Sequence, residues 1–317
     1  MAEWLYEEGI GENRAILVDE DEIIAAAIEL PGEMRCGAVL AGRLAQISIP
    51  GRRGIVSTGQ GEVMVEPLPA ALTEGQAVRV EIVREPIAEP GNPKFARGRV
   101  SDAAEREGPS LARRIEAGPP LSPHGPDRFE EAGWSELIDE ALDGVIDFGG
   151  GELRMSLTPA MTLFDVDGFL PPAELAMAGA EAAALAIRRL DIGGSIGIDL
   201  PTIPSREDRL RVVAALDAVL PRPFERTAVN GFGFLQVVRR RERRSLPELL
   251  QWDEAGAAAR ALLRRAERHT GSLTLHAAPA VTARIRPEWL AALERRVGGA
   301  AALRADPGLA IWAGHVS

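Results

Sequence analysis

Residues 160–200 read AMTLFDVDGFLPPAELAMAGAEAAALAIRRLDIGGSIGIDL, and the order of apolar and breaking residues here decides the fold class. Residues 160–166 are a short apolar run ending among carboxylates, GFLPP interrupts it, and residues 173–190 carry small and apolar side chains at helical spacing. Gly193 and Gly194 are expected to stop that helix. SIGIDL, residues 195–200, is a second short apolar run that again ends in an aspartate. A strand–helix–strand unit of this length is a crossover, so its two strands are expected to run parallel.

Downstream, REDRLRVVAALDAVL has the period of a second helix, and FERTAVNGFGFLQVVRRR reads as strands around a turn. The closing SLTLHAAPAVTARIRPEWLAALERRVGGAAALRADP reads as a small strand–helix–strand module. Upstream, residues 13–30 place apolar triplets on either side of the turn formers Asp19 to Glu22, the pattern of a hairpin. Between residues 35 and 101, Gly and Pro punctuate short β-like runs spaced as in a small barrel. Residues 103–128 hold Pro109, Pro119, Pro120, Pro123 and Pro126 and read as a linker.

Composition bounds the function classes. The chain has 317 residues, 46% of them apolar and 26% charged, which suits a soluble globular protein of two or three domains. No apolar run is long enough for a membrane span, and the acidic opening MAEWLYEEGIGENR does not resemble an export signal, so a cytoplasmic location is expected. The single cysteine, Cys36, excludes an internal disulfide and a multi-thiolate zinc site, and is expected to be a buried small hydrophobe. A net charge of -11 argues against coating nucleic acid by bulk attraction. Positive charge is densest at Arg239, Arg240, Arg241, Arg243 and Arg244, which reads equally as a phosphate-binding patch or a solvated face. His124, His269, His276 and His315 pair with no plausible nucleophile.

Asp165 and Asp167 stand two apart on the first strand of the crossover and so share a face, with Asp199 near the end of the partner strand. Carboxylates gathered at strand ends repel one another unless a cation neutralises them, and one or two carboxylates with water suit Mg²⁺. Spacing alone leaves a second reading open, in which these aspartates end strands and bond to nearby turns.

The runs LTPAMTLFDVDG, AEAAALAIRRLDIGGSIGIDL and NGFGFLQVVRRR resemble the catalytic region of the ribonuclease E/G family. NRAILVDEDEIIAAAIEL, GRLAQIS, EGQAVRVEIVRE and LERRVGGAAALRADP are similar to other family segments in the same order, so the resemblance covers most of the chain. It implies an α+β, or mixed α/β, chain with a ribonuclease H-like part over residues 1–34 and 103–155, interrupted at 35–102 by an OB-type RNA-binding barrel. A deoxyribonuclease I-like catalytic part over 156–250 and a small α/β module over 251–317 are expected to follow.

By resemblance, Asp165 and Asp199 are catalytic and bind Mg²⁺, with Mn²⁺ as an alternative ion, and Asp167 joins them as a metal ligand where the family has asparagine. Lys94 in GNPK, with Arg97, Arg239, Arg240 and Arg241, is expected to contact single-stranded RNA. The implied activity is endonucleolytic cleavage leaving 5′-phosphates, in RNA processing. Departures from the family sharpen this expectation. Ile55 and Met64 stand near the barrel's base-stacking positions, which lowers the expected RNA affinity, and Gly231 replaces an arginine. The segment that forms the 5′-monophosphate pocket is largely missing, so cutting is expected to be independent of the 5′ end. The paired cysteines of the zinc-linked dimer are absent, which removes that mode of assembly. The alternatives are a non-catalytic RNA-binding protein on the same fold and a phosphodiesterase of small nucleotides.

Overall fold

The computed structural model describes residues 2–317. β1 (Glu3–Glu8), β2 (Asn13–Asp19) and β3 (Glu22–Glu29) form an antiparallel sheet. Glu20 and Asp21 turn the β2–β3 hairpin at φ 50° and 70°, the left-handed pair that suits a two-residue hairpin. β4 (Val39–Ile49), β5 (Arg53–Thr58), β6 (Gly61–Val65), β7 (Ala77–Arg84) and β8 (Ala96–Val100) then close into a barrel in the order β4-β5-β6-β8-β7. Only β6 and β8 pair in parallel, and alternating residues such as Leu44, Val56, Val63 and Val80 fill the interior. This closed five-stranded barrel is compatible with an OB-like one.

The Pro-rich stretch carries only the four-residue helices α1 (Leu111–Arg114) and α2 (Arg128–Glu131) before α3 (Trp134–Asp143). Next come β9 (Val145–Phe148), β10 (Gly151–Leu157), β11 (Thr162–Gly168), α4 (Pro172–Arg189), β12 (Gly194–Asp199), α5 (Arg206–Val219), β13 (Phe224–Arg226) and β14 (Phe234–Arg239). Their six strands form one sheet in the order β13-β14-β12-β11-β10-β9. The crossover makes β11 and β12 parallel, and the other pairings are antiparallel. α4 ends before its glycines, because Asp191 takes the left-handed turn at φ 50°. The chain closes with α6 (Leu246–Gln251), α7 (Glu254–Ala266), β15 (Leu273–Ala277), α8 (Pro279–Thr282), α9 (Pro287–Val297), β16 (Ala301–Ala305) and β17 (His315–Val316). β15 lies between parallel β16 and antiparallel β17.

The chain divides into two compact units, the first joining residues 2–31, 115–143 and 246–317, the second 32–114 and 144–245. Three expected boundaries shift. The C-terminal segment is not a module of its own, because Arg260 and Arg264 reach Glu12 and Glu7 of the N-terminal sheet at 2.8 and 3.0 Å. Residues 103–114 go with the barrel, where Arg106 and Val39 exchange backbone hydrogen bonds. Residues 145–155 belong to the aspartate-bearing sheet, because β9 and β10 continue it beyond β11.

Candidate active site

Burial alternates along β11: Thr162, Phe164 and Val166 are buried while Asp165 and Asp167 face solvent. α4 packs against the inner face with small residues, and Gly179 approaches so closely that a Cβ there would lie 2.4 Å from Cγ1 of Val166. This approach seats β11 against the core and leaves its aspartates outward. Asp199, exposed at the last position of β12, is the direct cross-strand partner of Asp165. The two carboxylates therefore stand side by side at the carboxyl ends of the only parallel pair in the sheet.

The outer face around them is acidic. Arg154 of β10 lies opposite Asp165, Glu152 opposite Asp167, and Asp147 of β9 opposite Glu152. Arg154 is held by Glu152 at 2.6 Å and reaches Asp167 only at 3.9 Å. Partial desolvation, then the charges of Asp167 and Asp199, push the Asp165 carboxyl above its ordinary pKa, with Arg154 working against them. Among the described residues no three His, Cys, Asp or Glu side chains converge as a metal-binding group. The expected ligand set of Asp165, Asp199 and Asp167 therefore resolves into a facing pair with Asp167 two residues further along β11. Such a pair, all hard oxygen and open to water, fits Mg²⁺ or Mn²⁺, which needs only one or two protein carboxylates.

The basic residues expected to bind RNA do not join this pair. Arg239 is paired with Gly194, whereas Asp199 is paired with Phe234, so the arginine cluster lies at the other end of β12. Five strand residues correspond to roughly 17 Å. Arg239 turns inward and donates to Ile192 O at 2.8 Å and Ile187 O at 3.3 Å, which closes the C-terminal turn of α4. Arg240 pairs with Glu242 at 3.1 Å, and Arg243 pairs with Asp191 and Glu242, each at 3.2 Å. With Arg241 these groups line a cleft of about 260 Å³ whose carboxylates offset much of its positive charge. Arg239→Ala is expected to cost about 1.5–3 kcal/mol of stability through the lost charged hydrogen bonds. RNA affinity should hardly change, and urea unfolding beside an RNA titration checks both.

On the barrel, Lys94 is ion-paired with the buried Glu89. Arg97 neighbours Met64 in the β6–β8 register, and Met64 faces Ile55 across β5. The positions where stacking aromatics were expected thus sit in one row with Arg97. Arg97 reaches Glu66 at 3.3 Å, and Glu66 also holds Arg52 and Arg53. Cys36 is half-buried rather than fully buried, and desolvation with the charges of Glu242 and Glu85 pushes its thiol up. His276 and His315 stack with ring centroids 4.7 Å apart, as cross-strand neighbours in the first unit.

Three residues beside the aspartates escaped the reading of the sequence. Arg154 was readable in principle, because the turn at Thr158 to Met161 sets the β10–β11 register that places it opposite Asp165. Phe169, immediately after β11, and Phe232, two residues before the partner of Asp199, are 85% and 86% exposed. Aromatic residues in Gly-rich turns carry no periodic signal that distinguishes them from core residues. No family model and no curated protein sequence matches the chain.

Proposed function

We propose that this chain is a metal-dependent endoribonuclease that cuts single-stranded RNA internally and leaves 5′-phosphates, as its resemblance to the ribonuclease E/G family implies. The observation that carries the reading is the in-register pairing of Asp165 with Asp199 where the parallel β11–β12 ladder ends, within an acidic face. Such a face repels phosphate until a cation neutralises it, so cutting depends on the ion. Asp165 and Asp199 would hold Mg²⁺ or Mn²⁺, and Asp167 adds negative charge beside them. When bound, the ion offsets charge on the phosphodiester and lowers the pKa of a water molecule. Water attacks phosphorus, the bond to the 3′ oxygen breaks, and the products carry a 3′-hydroxyl and a 5′-phosphate. The ion pair of Arg154 with Glu152 holds that guanidinium along β10, on the strand that faces Asp165 in register. The barrel, with Arg97 beside Ile55 and Met64, offers a second contact for the strand.

The test incubates end-labelled, A/U-rich single-stranded RNA with the protein and Mg²⁺, Mn²⁺ or EDTA. Internal fragments with 5′-phosphates that vanish in EDTA are expected. Metal-independent RNA retention without cutting overturns the reading in favour of a binding protein, and cutting of dinucleotides alone favours a small-nucleotide phosphodiesterase. Thermal unfolding supplies a readout besides activity. Saturating Mg²⁺ stabilises wild-type protein, by about 2.7 kcal/mol at 100 times Kd, and this shift should be absent in Asp165→Asn.

A further inference from the structure

The two most exposed large apolar side chains among the described residues, Phe169 and Phe232, stand at the same end of the sheet as the aspartate pair. Phe169 follows the last residue of β11, and Phe232 lies on the loop that leads into β14. β11 and β14 flank β12, so the two loops sit on either side of Asp199. Two strand spacings separate them laterally, about 10 Å.

Both exposed rings sit on pinned backbone. The Asn230 side-chain oxygen accepts from the N–H groups of Phe232 and Phe234 at 2.9 and 3.0 Å. Gly233, at φ 94°, packs so closely that a Cβ would lie 2.2 Å from Leu200 O. On the other side, Phe169 N–H donates to Gly150 O at 3.2 Å, and a Cβ on Gly168 would lie 2.5 Å from that same oxygen. Holding a phenyl ring in water on an ordered loop forgoes the stabilisation of burying it. Phe169 also borders an open groove of about 500 Å³ shared with Phe148, Asp147, Glu152 and Asp167. Carboxylates in such a groove repel phosphate but accept hydrogen bonds from the amino groups of bases.

We infer that Phe169 and Phe232 are stacking platforms for two bases of a single-stranded RNA, one on each side of the phosphate presented to Asp165 and Asp199, with the groove beside Phe169 receiving a base edge. This rests on the proposed cleavage site and gives it a means of holding the strand that the arginine cluster, at the far end of β12, does not supply. The platforms are tolerant of sequence, because every base offers a π face, while the acidic groove favours bases with exocyclic amino groups.

Affinity for a fluorescent A/U-rich decanucleotide, read by anisotropy in EDTA on the Asp165→Asn protein, tests the inference. Phe169→Ala and Phe232→Ala should each weaken binding about tenfold, with tryptophan at either position retaining it. Single abasic sites stepped along the oligonucleotide should reproduce that loss at two positions, and each abasic loss should disappear in the matching alanine variant. Unchanged affinity in both alanine variants, or no sensitive abasic position, overturns the inference even if the wild-type enzyme cuts RNA. A change in oligomeric state by sedimentation, with RNA affinity intact, overturns it in favour of a self-association surface. If the wild type cuts nothing while binding stays phenylalanine-dependent, the cleavage reading fails and the platforms stand.

Discussion

Asp199→Asn should lower the rate of RNA cutting by about 10²–10³-fold, the loss expected when one preorganised charge-stabilising group is removed, and Asp165→Asn should do the same. Both substitutions keep size and strand register, so the variants should fold with the β11–β12 pairing intact. The apo protein responds with the opposite sign. The folded pKa of Asp165 is raised above its ordinary 3.8, so its contribution to stability is fully present below that value and is lost as pH rises through the folded pKa. At neutral pH the carboxylate therefore destabilises the fold, and Asp165→Asn should be at least as stable as wild type without metal. Ion binding requires the deprotonated carboxylate, so the Mg²⁺ concentration needed for half-maximal activity should rise on acidification. Rate measurements from pH 4 to 8, paired with melting curves with and without Mg²⁺, check all three. Undiminished cutting by both variants would place the chemistry elsewhere.

Arg14→Met should destabilise the first unit by about 3–5 kcal/mol, a large share of the total for a domain. The Arg14 side chain is fully buried; it donates from Nε to Glu12 at 2.7 Å and from Nη1 to Glu7 at 2.9 Å. Glu12 also receives Arg260 at 2.8 Å, and Arg264 bridges Glu7 and Asp127 at 3.0 and 2.6 Å. Three chain segments far apart in sequence thus meet in one ionic network. Removing Arg14 leaves Glu7, Glu12 and Glu267, all under 10% exposed, without one of their positive charges. Arg14→Met combined with Glu12→Gln should lose less than Arg14→Met alone, because the buried charges then balance in number and the amide oxygen introduced at position 12 can still accept from Arg260. For Glu12, burial acts to raise the pKa but Arg14 and Arg260 outweigh it, so the folded value is lowered. Its stabilisation is present above the ordinary 4.5 and is lost as pH falls through the folded pKa. Urea unfolding at pH 7 and pH 4 reads both effects.

Much of the aspartate sheet was legible in advance. The apolar run, the proline break, the alanine-rich helical period and the second apolar run specify β11, α4 and β12, because each is a local pattern. A right-handed crossover then makes the strands parallel without further information. The turn formers at Asp19 to Glu22 gave the first hairpin for the same reason, and the short Gly-punctuated runs of residues 35–101 gave the barrel strands. The surroundings of the basic cluster were not legible, because composition records how many arginines a segment holds and not which carboxylates face them. Asp191, Glu242 and the carbonyls at the end of α4 take up Arg239, Arg240 and Arg243.

The sequence by itself determined β11, α4 and β12 with Asp165 and Asp199 on them, the first hairpin and the barrel strands, since strand alternation and crossover handedness act over a few residues; β1, α3, β9, β10, α6 and α7 were not read from it. Only the tertiary structure decided that the two carboxylates are direct cross-strand partners and that Arg154 lies opposite one of them. It alone placed Phe169 and Phe232 at that end of the sheet and the arginines at the other, and gathered Arg14, Arg260 and Arg264 around shared glutamates. Those relations depend on register and on burial of charge between distant segments, where the energy of a group is set by what faces it across space.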